Sequence, residues 1–85
     1  CTGSLILAKA GLLNNKKATS HWGALELLKE LSPSTQIVTN KKFVFDTYYT
    51  SAGVSSGINM SLHIIEKLYG KKIAQNTAKY IEYDY

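Results

Sequence analysis

The 85 residues predict an α/β domain, with helices laid over a sheet that the chain enters part-way. Two observations lead there. Helical and extended periodicities alternate, in the order helix, strand, helix, strands, helix. Three segments also fall where strands would end, which is where sheets of this kind collect their ligands. They are Cys1, which would follow a strand ahead of the chain, His21 after Ala18–Ser20, and the Gly53–Gly57 loop after Tyr48–Ser51.

Taken in order, the first helix is predicted from Gly3 to Leu13. It is apolar on nearly every face apart from Ser4 and Lys9, so burial on more than one side is expected. Gly11 and Asn14-Asn15 are its stop and turn signals. Lys16–Ser20 reads as a short strand ending at His21-Trp22. A helix from Gly23 to Leu31 follows, with Leu25, Leu28 and Leu31 on one face, and Ser32-Pro33 closes it because proline cannot continue a helix. Thr35–Thr39 is β-branched. Phe43–Phe45 and Tyr48–Ser51 flank Asp46-Thr47 as a hairpin whose turn lacks the usual glycine. Ser51–Gly57 is a small-residue loop entering a helix from Ile58 to Tyr69. Gly70 fits a helix C′ position, and a last helix, Lys71–Ile81, runs into the tyrosines Tyr80, Tyr83 and Tyr85.

Composition narrows the function classes. A net charge of +4 is carried by ten lysines and no arginine, largely in pairs between apolar runs. The commonest bidentate reader of bases and phosphates is therefore absent, which argues against nucleic-acid binding by this segment. No apolar run reaches the length of a membrane span, and no stretch has a signal-peptide pattern. A single cysteine makes no intrachain disulfide and no metal-ligand cluster, so neither metal nor cofactor is expected. It suits a reducing, cytoplasmic compartment.

Cys1 is the candidate nucleophile. A thiol just ahead of a helix lies at the positive end of the peptide dipoles, which favours thiolate. Unpartnered N–H groups at the same place can stabilise a developing anion. Cys1-Thr2-Gly3 before an apolar run resembles the second half of a nucleophile elbow, the strand-to-helix turn that presents a reactive Ser or Cys. The plainer alternative is a buried structural thiol. An amino-terminal nucleophile using its own α-amine is a third reading, disfavoured because a helix rather than a strand follows.

Four blocks in register, Cys1–Ser4, Ala8–Leu13, Ala18–Trp22 and Thr50–Ile58, resemble the ThiJ/PfpI superfamily, and within it the isocyanide-hydratase-like and regulator-associated branch. The resemblance implies a flavodoxin-like, class I glutamine-amidotransferase-like sheet sandwiched by helices, present here as the carboxyl-terminal half of one domain starting at the elbow. It implies Cys1 as nucleophile and His21 as the histidine near it. Thr2 and Gly3 would belong to the oxyanion pocket, and Gly53, Val54, Ser55 and Asn59 to a loop lining the site. The acid that usually contacts the cysteine would come from the amino-terminal half. Asn59 departs from the Asp often found there; it would still cap a helix but without charge.

For His21, direct participation and simple bracing of the strand-to-helix corner, with Trp22 packed beneath, both remain open. His63, between apolar neighbours in a helix, suits a structural or subunit contact. The reading is a cysteine-dependent hydratase or hydrolase of a small electrophilic molecule. The first alternative is a non-catalytic ligand- or oxidant-sensing domain of a transcriptional regulator. The second is a stress protein acting on aldehydes or glycated groups. Expected partners are a small molecule, the amino-terminal half of the domain and a second copy in a homodimer.

Overall fold

The structure, a computed structural model, describes residues 1–85. Its elements are α1 (Gly3–Lys9), β1 (Lys17–Ala18), a 3-10 turn (Trp22–Ala24), α2 (Leu25–Leu31), β2 (Gln36–Ile37), β3 (Phe43–Asp46), β4 (Tyr48–Ser51), α3 (Val54–Tyr69) and α4 (Lys71–Tyr80). β1 and β2 pair in parallel, Lys17 with Gln36 and Ala18 with Ile37. β3 and β4 form the expected hairpin, Phe43 opposite Ser51 through Asp46 opposite Tyr48. Its turn is the single residue Thr47, at φ 70°.

The hairpin joins β1 through side chains instead of a backbone ladder. The Lys17 N–H donates to Asp46 Oδ2 at 2.8 Å, and the Thr19 N–H donates to Thr50 Oγ1 at 3.0 Å. The Thr19 N–H is buried and needs a partner, which the Thr50 hydroxyl supplies as the next strand would; the Lys17–Asp46 bond is exposed. This lateral tie aligns the carboxyl end of β1 with that of β4.

A small apolar cluster of Ala8, Leu13, Ala18 and Leu28 joins α1, β1 and α2, with Leu5, Leu7, Leu31, Ile37 and Tyr48 packed around it. A buried polar network locks the corner after α1 to the turn before β2. Thr35 Oγ1 donates to the Leu13 carbonyl at 2.8 Å, and Ser32 Oγ lies 2.6 Å from Thr35 Oγ1 and 3.0 Å from Asn14 Oδ1. On the other side, α3 packs on the hairpin and α4 on α3, where Ala74 and Ala78 are buried because their small side chains let the helices approach.

Several boundaries differ from the sequence expectation. α1 stops at Lys9 rather than Leu13. Gly11 takes φ 78°, its N–H donates to Ala8 O, and the Leu12 N–H donates to Leu7 O. That is a Schellman ending, which left-handed glycine permits at little cost. Leu13, released from the helix, turns inward and is fully buried. α1 itself buries one face, Ser4 and Ala8, and leaves Ile6 74% exposed. The strands at Lys16–Ser20 and Thr35–Thr39 shorten to two residues each. The helix expected from Gly23 divides into the 3-10 turn and α2. α3 begins at Val54, so most of the predicted Gly53–Gly57 loop is its first turn, closed by the Gly57 N–H on Gly53 O at 2.8 Å.

Candidate functional site

The carboxyl ends of β1 and β4 meet around Cys1. The Ser20 hydroxyl, at the end of the β1 segment, donates to the Cys1 carbonyl at 2.8 Å, and the Ser4 hydroxyl, one turn into α1, reaches the same oxygen at 3.3 Å. The Cys1 nitrogen donates to the carbonyl of Ser51, the last residue of β4. Three serines from three elements thus fix the cysteine's backbone on both sides, and its side chain stays exposed. Ser4, Ser20 and Ser51 are themselves buried, and each of their bonds to the exposed cysteine is part-buried.

Thr2 forms the N-cap of α1 without a side-chain bond; its carbonyl accepts the Leu5 N–H at 3.0 Å. Gly3 is the first helical residue, and a Cβ there would meet nothing within 4 Å. Both lie directly after the cysteine, where the leading N–H groups of a helix have no intrahelical partner.

An open cleft of about 670 Å³ adjoins this arrangement. One wall is the segment after β1, Thr19 to Trp22, and the other is the start of α3, Gly53 to Ser56. Gly53, Val54 and Ser55 line it, and Ser20 links it to Cys1. Apart from His21 its lining carries no ionisable side chain. Asn59 does not line the cleft and does not cap a helix. It lies one turn further into α3, where its Oδ1 contacts the Tyr83 hydroxyl.

His21 sits on the rim. Its Nδ1 accepts the Gly23 N–H at 3.1 Å and caps the 3-10 turn. With Nδ1 used as an acceptor, the neutral ring carries its proton on Nε2. Trp22 is not packed beneath the corner. It is 82% exposed, with its ring tilted against that of His21 at a centroid separation of 5.1 Å. His63 lies elsewhere, between Phe43 and Tyr49 with Glu66 Oε2 3.9 Å from its Nδ1. No three His, Cys, Asp or Glu residues come together as metal ligands, and no helix is long and apolar enough to cross a membrane.

Sequence reasoning singled out Cys1 and His21 but missed the serines that hold the cysteine. Ser20 beside His21 was the one available hint. Tyr83 gave none, since its partners are 24 and 28 residues away.

A cysteine braced between strand ends, ahead of a helix and beside a cleft, sits in an α/β domain, and comparison with known proteins gives its family. The chain belongs to the DJ-1/PfpI family, whose signature matches residues 1–67. It is 38% identical over 84 residues to an isonitrile hydratase of Pseudomonas putida, covering 98% of this chain and 36% of that protein. It is 39% identical over 74 residues to the HTH-type transcriptional regulator CdhR of Pseudomonas aeruginosa, covering 86% of this chain and 22% of the regulator. Among solved structures, a THiJ/PfpI family protein from Pseudomonas syringae superposes on the whole chain and 34% of its own, with a TM-score of 0.85 and 37% identity. An AraC family transcriptional regulator from Pseudomonas putida superposes on 93% of this chain and 43% of its own, with a TM-score of 0.82 and 26% identity. The fold is the α/β, flavodoxin-like fold of this family, and the chain spans about a third or less of the curated relatives it matches.

Proposed function

We propose that this chain is the carboxyl-terminal half of a cysteine-dependent hydratase or hydrolase domain acting on a small, uncharged electrophile, an isocyanide being the concrete case. The observation that carries the reading is the bracing of Cys1 by Ser4, Ser20 and Ser51 beside a cleft whose lining has no ionisable side chain other than His21. An exposed thiol held ahead of a helix is disposed to ionise. In the reaction, the thiolate adds to the terminal isocyanide carbon and that carbon takes a proton, giving a thioimidate. Water then adds across the C=N bond, oxygen to the carbon and one proton to the nitrogen; the C–S bond breaks as the hydroxyl proton leaves to solvent, replacing the proton that the carbon took. The products are an N-substituted formamide and the free thiolate, so the net change is addition of one water. Thr2 and Gly3 N–H groups would stabilise the charged intermediate, and His21 Nε2–H at the cleft rim would donate to it.

The second reading, a ligand- or oxidant-sensing domain of a transcriptional regulator, is favoured by the 39% identity to the regulator CdhR. One experiment separates the two. The complete protein, wild type and Cys1→Ser, is given an alkyl isocyanide and formamide production is followed by NMR. The enzyme reading expects turnover by the wild type and a loss of at least about a thousandfold in Cys1→Ser. Turnover undiminished in Cys1→Ser would overturn the nucleophile. No turnover by a folded wild type would overturn the enzyme and leave the sensor.

A further inference from the structure

We propose that Tyr83 is a positioning residue for the cleft: its hydroxyl fixes the first turn of α3, the turn that forms one wall. The proposal rests on the reading of the cleft as the ligand site given above. The Tyr83 hydroxyl lies 3.1 Å from the Ser55 carbonyl and makes its second contact with the Asn59 side-chain amide. Ser55 lines the cleft, and its carbonyl belongs to the turn that must keep its shape for the wall to stand. A phenol has one proton to give and oxygen lone pairs to receive. The Tyr83 hydroxyl donates to both the Ser55 carbonyl and Asn59 Oδ1, so two oxygens of the start of α3 share the one phenol proton.

The tyrosine is aimed by its own backbone. α4 ends with Glu82 at φ 55°, the Glu82 N–H on Lys79 O at 3.1 Å and the Tyr83 N–H on Ala78 O at 2.8 Å. This is again the Schellman pattern, with glutamate where glycine is usual. It turns the chain back so that Tyr83 returns along α3. Tyr85 follows the same course: burial, and secondarily the Glu66 carboxylate of α3, push its phenol above the ordinary value. From the first turn of α3 the path to the cysteine is short. A Cβ at Gly57 would stand 3.6 Å from Ser51 Oγ, and the Ser51 carbonyl accepts from the Cys1 nitrogen. The tail after α4 is thus connected through one hydroxyl to the cleft wall.

The test uses the complete protein with Tyr83→Phe, Asn59→Ala and Asn59→Asp. Amide hydrogen exchange over residues 53–59 is measured without substrate, and kcat and KM are measured with an alkyl isocyanide. Loss of one such bond is expected to speed exchange at 53–59 by about two- to tenfold in Tyr83→Phe and Asn59→Ala. Exchange in α1 and α2 should be unchanged. KM should rise by about the same factor with kcat within about twofold, and Asn59→Asp, which keeps an acceptor for the phenol, should restore most of the protection. Wild-type exchange at 53–59 in Tyr83→Phe would overturn the proposal. So would faster exchange with KM unmoved, since the hydroxyl would then hold the turn without shaping the cleft. A wild type that turns over no isocyanide would sink the proposed reaction, but the exchange result would still decide the role of Tyr83.

Discussion

Leu28 is where this fold is most exposed to a single change. It is fully buried and shares its cluster with Ala8, Leu13 and Ala18. Leu28→Ala removes three carbons, at about 0.8 kcal/mol each in lost transfer free energy, or about 2.4 kcal/mol. The space left behind adds to this. Two of the three fully packed neighbours are alanines, whose single methyls cannot swing in to fill it, and Leu13 is pinned through its carbonyl by Thr35. The partly buried Leu31 and Ile37 can lean inward only in part. A residual cavity of ~50 Å³ contributes about 1.2 kcal/mol more, for a total of about 3–4 kcal/mol. Against a domain stability of roughly 5–15 kcal/mol this is a large fraction. The assay is urea denaturation of the complete protein followed by circular dichroism. Leu27→Ala, on the same helix but 46% exposed, serves as the control and should lose less than about 1 kcal/mol. A Leu28→Ala loss below about 1.5 kcal/mol with unchanged slope would refute the argument that this cluster cannot collapse.

Thr35→Val should cost only about 1 kcal/mol, because the Leu13 carbonyl keeps the Lys16 N–H at 3.1 Å, and Thr35→Ser should recover it in the same denaturation assay. A loss of more than about 3 kcal/mol would mean the hydroxyl network carries more of the corner than its geometry suggests. Gly70 joins α3 to α4 at φ 100° and ψ 160°, with open space where a methyl would project, so Gly70→Ala should lose about 1–3 kcal/mol from backbone strain alone. Thermal unfolding indistinguishable from wild type would contradict that. Residues 1–85 prepared by themselves should give no cooperative melt, because the core cluster is half alanine and two of the strands are two residues long. A sharp, reversible transition of the monomer would show that the helices suffice.

What was legible in the sequence follows the range of the forces involved. The α/β order, the hairpin and the α3–Gly70–α4 junction are written in periodicity and in one glycine, which are local signals. Their boundaries were not. Gly11 announced a stop, but whether α1 ends before or after it depends on the Schellman bonds to Leu7 and Ala8. Val54 to Gly57 reads as loop because serine and glycine are weak helix formers. They are helical because α3 packs on the hairpin, and glycine at 57 lets the helix approach Ser51. Trp22 misled for the opposite reason: a large aromatic is normally covered, and here it stands on the cleft rim.

The candidate site divides along the same line. Cys1 and His21 stood out because a cysteine before a helix, or a histidine at the end of a strand, has a local chemical logic. The groups that hold them work at a distance. Ser20 and Ser51 lie 19 and 50 residues from the cysteine they brace, and each is a common residue in an ordinary context. At Asn59 the local reading and the structure part. Its place after Gly57-Ile58 suggested a cap or a lining group, yet mid-helix its free amide can serve only a partner brought from elsewhere. That partner is a tyrosine whose position depends on how α4 ends, and α4 in turn depends on burying Ala74 and Ala78 against α3. The wall of the cleft therefore draws on successive long-range placements, and no local motif announces them.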